Sequence, residues 1–304
     1  MDLLQTYQNE GITALEKRMD ETLESQVYWM HYLADKNVTY GLYSNFTELL
    51  FCNKKEAKLK RVSISSDHTV DIKKQVNTLT GEKNGDKVYE GDLRTPVGVY
   101  LLKDRIDNPN PFYGPLALVT DYPNSYDKSL DKNGSGIWIH GYPLKGERNP
   151  YTKGCLALSN DDLSSLNKLI KYKETALIIA PDTFPKTKKE TIASILASLF
   201  QWRNHWKASD LKPYLSFYDK SFKRPNGLSL TQFSIIKQGI FSHKIKRNID
   251  LNHISVIPYP TEDNRTLFYL SFIEKYKAGK VNFHGLKKLY IEYKNDKISI
   301  LTEN

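Results

Sequence analysis

The sequence has little cysteine. Its 304 residues include two, Cys52 and Cys155, too few for a disulfide scaffold and in no spacing with histidine that resembles a zinc site. A single bridge between the two stays open at this level, whereas no metal and no other cofactor is expected. Long hydrophobic runs are missing as well. No apolar stretch approaches the roughly 20 residues that a membrane-spanning helix needs, so no membrane span is expected. The first residues, Met1-Asp2-Leu3-Leu4-Gln5, lack both the basic start and the apolar stretch of a secretion signal. There is no internal repeat and no low-complexity tract, which excludes solenoid and fibrous architectures.

What is present is an aromatic-rich, charged chain. Hydrophobic residues make up 39%, with 20 Tyr and 12 Phe, enough for a core and too much for a disordered chain. Single cores rarely keep growing beyond roughly 250–300 residues, so the length calls for two domains, or one large domain with an added module. The net charge is +9, and it is unevenly placed. Residues 1–185 hold 23 basic and 25 acidic residues, a net of −2, whereas 186–304 hold 21 and 10, a net of +11. The basic part either attracts an anionic partner or is solvated surface. Nucleic acid is disfavoured as that partner, because no recognition motif accompanies the charge.

Residues 5–34 read as one long amphipathic helix, with Ile12, Leu15, Met19, Leu23, Val27, Met30 and Leu33 at spacings of three and four. Its stripe needs a cover, either the body of the chain or a second copy, and the reading leans slightly to a homodimer. From 37 to 182 the texture changes to short strands: 38–43, 48–52, 59–64, 99–102, 116–120, 137–140 and 176–180 are rich in β-branched and aromatic residues. One helix is predicted over 161–173, with Asn160 as its N-cap. Residues 181–185 form a linker. Beyond it come helices over 189–207 and about 209–218, then strands over 233–240, 244–250, 253–258, 266–275, 286–293 and 298–301. That pattern predicts an α+β module with a curved sheet around a helix.

The chemistry concentrates in two segments. Gly136-Ile137-Trp138-Ile139-His140-Gly141 is an alternating strand ending in histidine and glycine, and Thr152-Lys153-Gly154-Cys155-Leu156-Ala157-Leu158 carries the second cysteine. A thiol becomes a strong nucleophile once a neighbouring imidazole takes its proton. Gly154 permits a close backbone approach, and the amides around Gly154 and Cys155 are candidates to hold an oxyanion. Buried, structural roles for both residues are the alternative. For Cys52, inside the apolar run 49–52, burial is the favoured reading.

Further motifs fall in a recognisable order. Gly91-Asp92-Leu93-Arg94-Thr95-Pro96-Val97-Gly98-Val99-Tyr100 resembles the TPxGxY/F segment of the L,D-transpeptidase (YkuD-like) family. Gly114–Leu118 with Asp121–Asn124 is similar to its next strand and loop. Ile139-His140-Gly141 and Thr152-Lys153-Gly154-Cys155 resemble its His-Gly and Ser/Thr-x-Gly-Cys signature. The resemblance covers about 37–182. It implies Cys155 as nucleophile, His140 as general base, the Gly141 carbonyl as orienter of the imidazole, and the Gly154 and Cys155 amides as the oxyanion hole. Thr152, Lys153, Arg148 and Trp138 are its substrate-side candidates. Two positions depart from the family: Lys153 stands where histidine is usual, and Ala157 where arginine is usual, leaving Lys153, Arg148 or Lys145 to supply the positive charge.

Trp202–Trp206 and Tyr214–Phe222 resemble the opening of a nuclear-transport-factor-2-like pocket domain. The expected fold is therefore multi-domain: an N-terminal helical segment (1–36), a mostly-β YkuD-like catalytic domain (37–182) and an α+β nuclear-transport-factor-2-like domain (186–304). Together these parts resemble the cell-shape-determining L,D-carboxypeptidases of helical ε-proteobacteria. The resemblance implies a periplasmic cysteine hydrolase. It would remove terminal D-alanine from peptidoglycan tetrapeptide stems through a thioester, influencing cell shape. The alternatives are an L,D-transpeptidase that forms crosslinks and a catalytically spent wall-binding scaffold.

Overall fold

The computed structural model describes residues 3–44, 46–65, 68–243, 245–263 and 265–304. The predicted strand over 244–250 begins on Lys244, outside these residues. Two sheets organise the chain. The first has eight strands, β1 (Glu48–Asn53), β2 (Lys58–Ile64), β3 (Val70–Asn77), β4 (Gly98–Asp107), β5 (Leu116–Thr120), β6 (Trp138–His140), β7 (Leu156–Ala157) and β8 (Thr175–Ala180). Their order is β3-β2-β1-β8-β4-β5-β6-β7. The β1–β8 and β6–β7 pairs are parallel and the rest antiparallel. The second sheet is fully antiparallel, β12-β11-β10-β9, from β9 (Arg247–Tyr259), β10 (Leu267–Ala278), β11 (Val281–Lys294) and β12 (Lys297–Glu303).

The N-terminal segment is not one helix. Helix α1 (Leu3–Leu23) is kinked at Gly11, whose φ of 79° only glycine adopts freely, and Ser25 caps a separate α2 (Gln26–Tyr32). Trp29 and Leu33 are buried in the chain's own core, with Trp29 stacked on Phe200 at 5.5 Å. Asp20 on α1 bridges Arg203 and Lys207 of α5 (Lys189–Ala208), each at 2.7 Å. The body of the chain thus covers much of the stripe, while Leu3, Leu4, Tyr7, Ile12 and Met19 stay exposed.

Three other expectations change. Residues 230–242 form helix α7 (Leu230–Ser242), not a strand, under a capping box of Ser229 and Gln232. The helix near the reactive segment, α4 (Asn160–Asn167), is capped by Ser159 rather than Asn160, and ends earlier than predicted. Residues 38–43 make only a bridge, Leu42 to Val256, instead of a strand. Between α5 and α7 lies the short α6 (Leu211–Leu215), and α3 (Ser125–Ser129) follows β5.

One face of the first sheet and the outer face of the second share a core. Tyr43, Leu49, Phe51, Val99, Leu101 and Ile178 pack with Ile257, Tyr259, Leu267, Tyr269, Tyr290 and Leu301. At its edge sits a buried charge cluster. Lys132 Nζ lies 2.5 Å from Asp86 and 2.8 Å from Asp127, and Asp86 N–H donates to Glu262 of the second sheet's β9–β10 loop. Burial pushes the Asp127 carboxyl up to about 6 although Lys132 pulls it down. Removing the cation would strand two carboxylates. Lys132→Met is expected to cost about 3–5 kcal/mol, read as a lower urea midpoint, and an unchanged midpoint would show the cluster to be incidental.

Candidate active site

The chemistry lies at the end of the first sheet formed by β6 and β7. β6 pairs parallel with β7, Ile139 opposite Leu156 and His140 opposite Ala157. Side chains alternate across a strand, so Ile139 and Leu156 enter the core. Trp138, His140, Ala157 and, with the register carried back one residue, Cys155 share the opposite face. Cys155 therefore stands beside Trp138, whose N–H points at Sγ 3.5 Å away. The thiol itself donates to the Gly136 carbonyl at 3.3 Å. Both cysteines are free, Cys52 buried and Cys155 partly exposed.

His140 is 1% exposed. Its Nδ1 lies 2.7 Å from the Gly141 carbonyl oxygen. A carbonyl can only accept, so Nδ1 carries the proton and Nε2 keeps its lone pair for use as a base. The ring stands edge-on to Tyr113, 4.9 Å between centroids, and Tyr113 meets Trp138 at 5.3 Å. Tyr113, in the 3-10 turn Pro111–Tyr113, is a site residue that the sequence reading missed. Its carbonyl also accepts the Gly141 N–H at 2.9 Å. Gly141 is hemmed in, because a Cβ there would run into Asn160 Oδ1.

Burial lowers the imidazole pKa to about 4; the Gly141 carbonyl opposes this and Arg148 adds to it. Burial also raises the Cys155 thiol above its ordinary value, with Trp138 N–H, Arg148 and Lys87 pulling it part-way back. Both partners are then neutral at neutral pH. The arrangement suits proton transfer during attack rather than a standing thiolate–imidazolium pair.

The substrate-side candidates separate. Thr152 is buried and its hydroxyl is occupied: it accepts the Gly154 N–H at 3.0 Å and donates to the Cys155 carbonyl at 2.7 Å. Thr152 is thus a clamp for the cysteine turn. The same bond engages the Gly154 amide expected in the oxyanion hole. The Cys155 amide has no acceptor among the described residues. Gly154 is still required, since φ is 135° and a Cβ would lie 2.7 Å from the Arg94 carbonyl of the facing loop. That loop is fixed by Asp92. Burial raises its carboxyl, but Lys87 at 2.7 Å and the N–H groups of Val88, Arg94 and Tyr89 outweigh this and hold it at about 2. Lys153 is exposed, and Ala157 is fully buried. Arg148 lies over the rings of Phe112 at 5.4 Å and Tyr142 at 5.8 Å.

Residues 48–179 match the model of the YkuD L,D-transpeptidase catalytic domain, and 194–304 that of the Cds6 C-terminal NTF2-like domain. Along nearly its whole length the chain is similar to the helical cell shape determining protein Pgp2 of Campylobacter jejuni. It is 37% identical to that structure, covers 92% of this chain and 99% of the other, and has a TM-score of 0.86. A mutant of the same protein gives 36%, 93%, 99% and 0.87. The chain belongs to the YkuD family of L,D-transpeptidase catalytic domains. Its fold is that domain joined to an NTF2-like C-terminal domain, preceded by α1. Bd1075 of Bdellovibrio bacteriovorus shares the fold, at 24% identity over 88% of this chain and 96% of that one, with a TM-score of 0.68. No curated protein matches the chain. The YkuD domain places the protein among L,D-transpeptidase-family peptidoglycan enzymes.

A base that must be neutral sets the acid limit of activity. With its pKa lowered to about 4, His140 stays unprotonated through the weakly acidic range. The kcat/KM profile is expected to hold down to about pH 4 and to fall below it; an acid limb near the ordinary histidine value of 6.5 would contradict this.

Proposed function

We propose that the protein is a periplasmic cysteine L,D-carboxypeptidase that trims peptidoglycan tetrapeptide stems to tripeptides and so influences cell shape. The observation that carries this is the joint placement of Cys155, His140 and Gly141. Cys155, a partly exposed residue, shares a strand face with His140 two positions along, and the imidazole has its tautomer set by a main-chain carbonyl and no partner on its base nitrogen among the described residues. The cell-shape role comes from similarity to Pgp2.

The thiol turns from the Gly136 carbonyl towards His140 Nε2. Sulfur attacks the carbonyl of the diaminopimelate L-centre as its proton passes to the imidazole. The Cys155 amide faces the developing oxyanion. The imidazolium then protonates the leaving nitrogen, D-alanine departs and a thioester remains. Water, losing a proton to the again neutral His140, attacks that thioester and releases the tripeptide and the thiol. No metal takes part. The C-terminal domain, with its net +11, is proposed to hold the enzyme against the anionic wall. The exposed apolar residues of α1 support a homodimer through that helix.

Purified protein with tetrapeptide muropeptides is expected to yield tripeptides and free D-alanine by mass spectrometry. Cys155→Ala should abolish turnover, and His140→Ala should lower kcat about 10²–10⁴-fold. Crosslinked dimers as the main product would reject the hydrolase in favour of a transpeptidase. Full turnover by Cys155→Ala would reject the cysteine mechanism.

A further inference from the structure

The loop between His140 and Cys155 carries a guanidinium two of whose nitrogens lack a hydrogen-bond partner among the described residues. Arg148 Nε and Nη1 are buried and have no hydrogen-bond partner among the described residues. The groups that act on its charge are Tyr142, Cys155 and Tyr113, none of them a carboxylate. It lies over the rings of Phe112 and Tyr142, contacts that satisfy no N–H. Leaving buried donors of a charged group unpaired is costly, more so than for a neutral amide. An arginine that serves only stability would be expected either to find an acceptor or to swing into water.

Its position explains what the vacancy suits. Phe112 packs edge-on against Tyr113, and Tyr113 against both Trp138 and His140. The turn that Arg148 covers is therefore the one that supports the catalytic ring. The Leu144 N–H donates to the Pro111 carbonyl at 3.0 Å, which holds the loop on that turn. The charge is felt at both reacting groups, lowering the thiol and the imidazole pKa alike. Arginine presents its donors as a rigid planar fork matched to a carboxylate, and a bidentate pair of this kind is among the stronger polar contacts a protein makes.

We propose that Arg148 is the specificity determinant of the site: its guanidinium binds the free α-carboxylate of the stem's C-terminal residue while Cys155 attacks the preceding carbonyl. This rests on the carboxypeptidase reading above and adds to it a reason for exo-cleavage. The free carboxylate lies just past the α-carbon next to the scissile bond, so one anchor sets both the end that is recognised and the bond that is cut. A stem whose chain continues beyond that residue, or whose terminus is an amide, offers no such anion and leaves the guanidinium unpaired. That penalty discriminates more sharply than apolar fit does. The stem has other carboxylates, on its glutamate and on the far centre of diaminopimelate, and the test must separate them from the terminal one.

Binding to the inert Cys155→Ala protein does this without turnover. The probes are a tetrapeptide stem with a free terminal acid and the same stem amidated at the terminal residue alone, compared by calorimetry. The acid is expected to bind at least about 10-fold more tightly, a difference of about 1.4 kcal/mol. Adding Arg148→Gln should erase the preference by weakening the acid and leaving the amide unchanged, whereas Arg148→Lys should keep part of it. Equal binding of acid and amide, or a preference that survives Arg148→Gln, overturns the proposal. Failure of the carboxypeptidase reading is a separate result, in which the wild type cleaves no stem although the preference for the acid and its loss in Arg148→Gln are both present.

Discussion

The hydrogen bond from His140 Nδ1 to the carbonyl of its own neighbour, Gly141, is the constraint on which the site depends. In many catalytic pairs a carboxylate orients the imidazole and stabilises its charged form. A neutral carbonyl orients it with far less stabilisation of charge. Burial then dominates, and the ring stays a neutral base. The geometry of that carbonyl is enforced from several sides. The Gly141 amide is held by Tyr113, the His140 carbonyl accepts from Leu158, and Asn160 closes the space above Gly141. Any larger residue after the histidine would put its Cβ against Asn160 Oδ1 and force that side chain to shift.

The same economy governs the cysteine turn. Thr152 closes it from within, bonding both the amide of Gly154 and the carbonyl of Cys155. Gly154 passes close under the Arg94 carbonyl. That carbonyl belongs to a loop whose shape is set by the buried Asp92–Lys87 pair. The same loop bears Asp86, which reaches Lys132, the Val97 amide and, through its own N–H, Glu262 beside the second sheet. The position of Cys155 is thus tied through contiguous polar contacts to the junction of the two domains, and the shared aromatic core holds that junction together.

Much of this was legible in the chain. Strand β5 was read at its observed limits, and β6 and β8 to within a residue, because alternating or continuous apolar runs there are bounded by glycine, proline or polar turns. The candidate pair stood out because histidine and cysteine sit at strand ends beside glycines. What was misread has physical causes. Phe233, Ile235, Ile236 and Ile240 have high strand propensity, but Ser229 with Gln232 starts a helix, and tertiary packing of Phe233 and Phe241 decides the matter. β3 was overlooked because its residues are mostly exposed and mostly polar. Tyr113 stands just before the Gly114–Leu118 segment, outside the motif residues themselves, and reaches His140 only through the 3-10 turn. The inward use of the Thr152 hydroxyl likewise depends on a turn whose shape no spacing encodes.

The two sulfurs have been given opposite fates by the fold. Cys52 is sealed between strands, with its thiol pushed up to about 12 by burial. Cys155 is a partly exposed residue with a main-chain N–H aimed at its sulfur. A soft electrophile therefore meets one addressable atom per folded molecule, so covalent labelling counts intact active sites directly, and a second equivalent of label marks the fraction that has come unfolded.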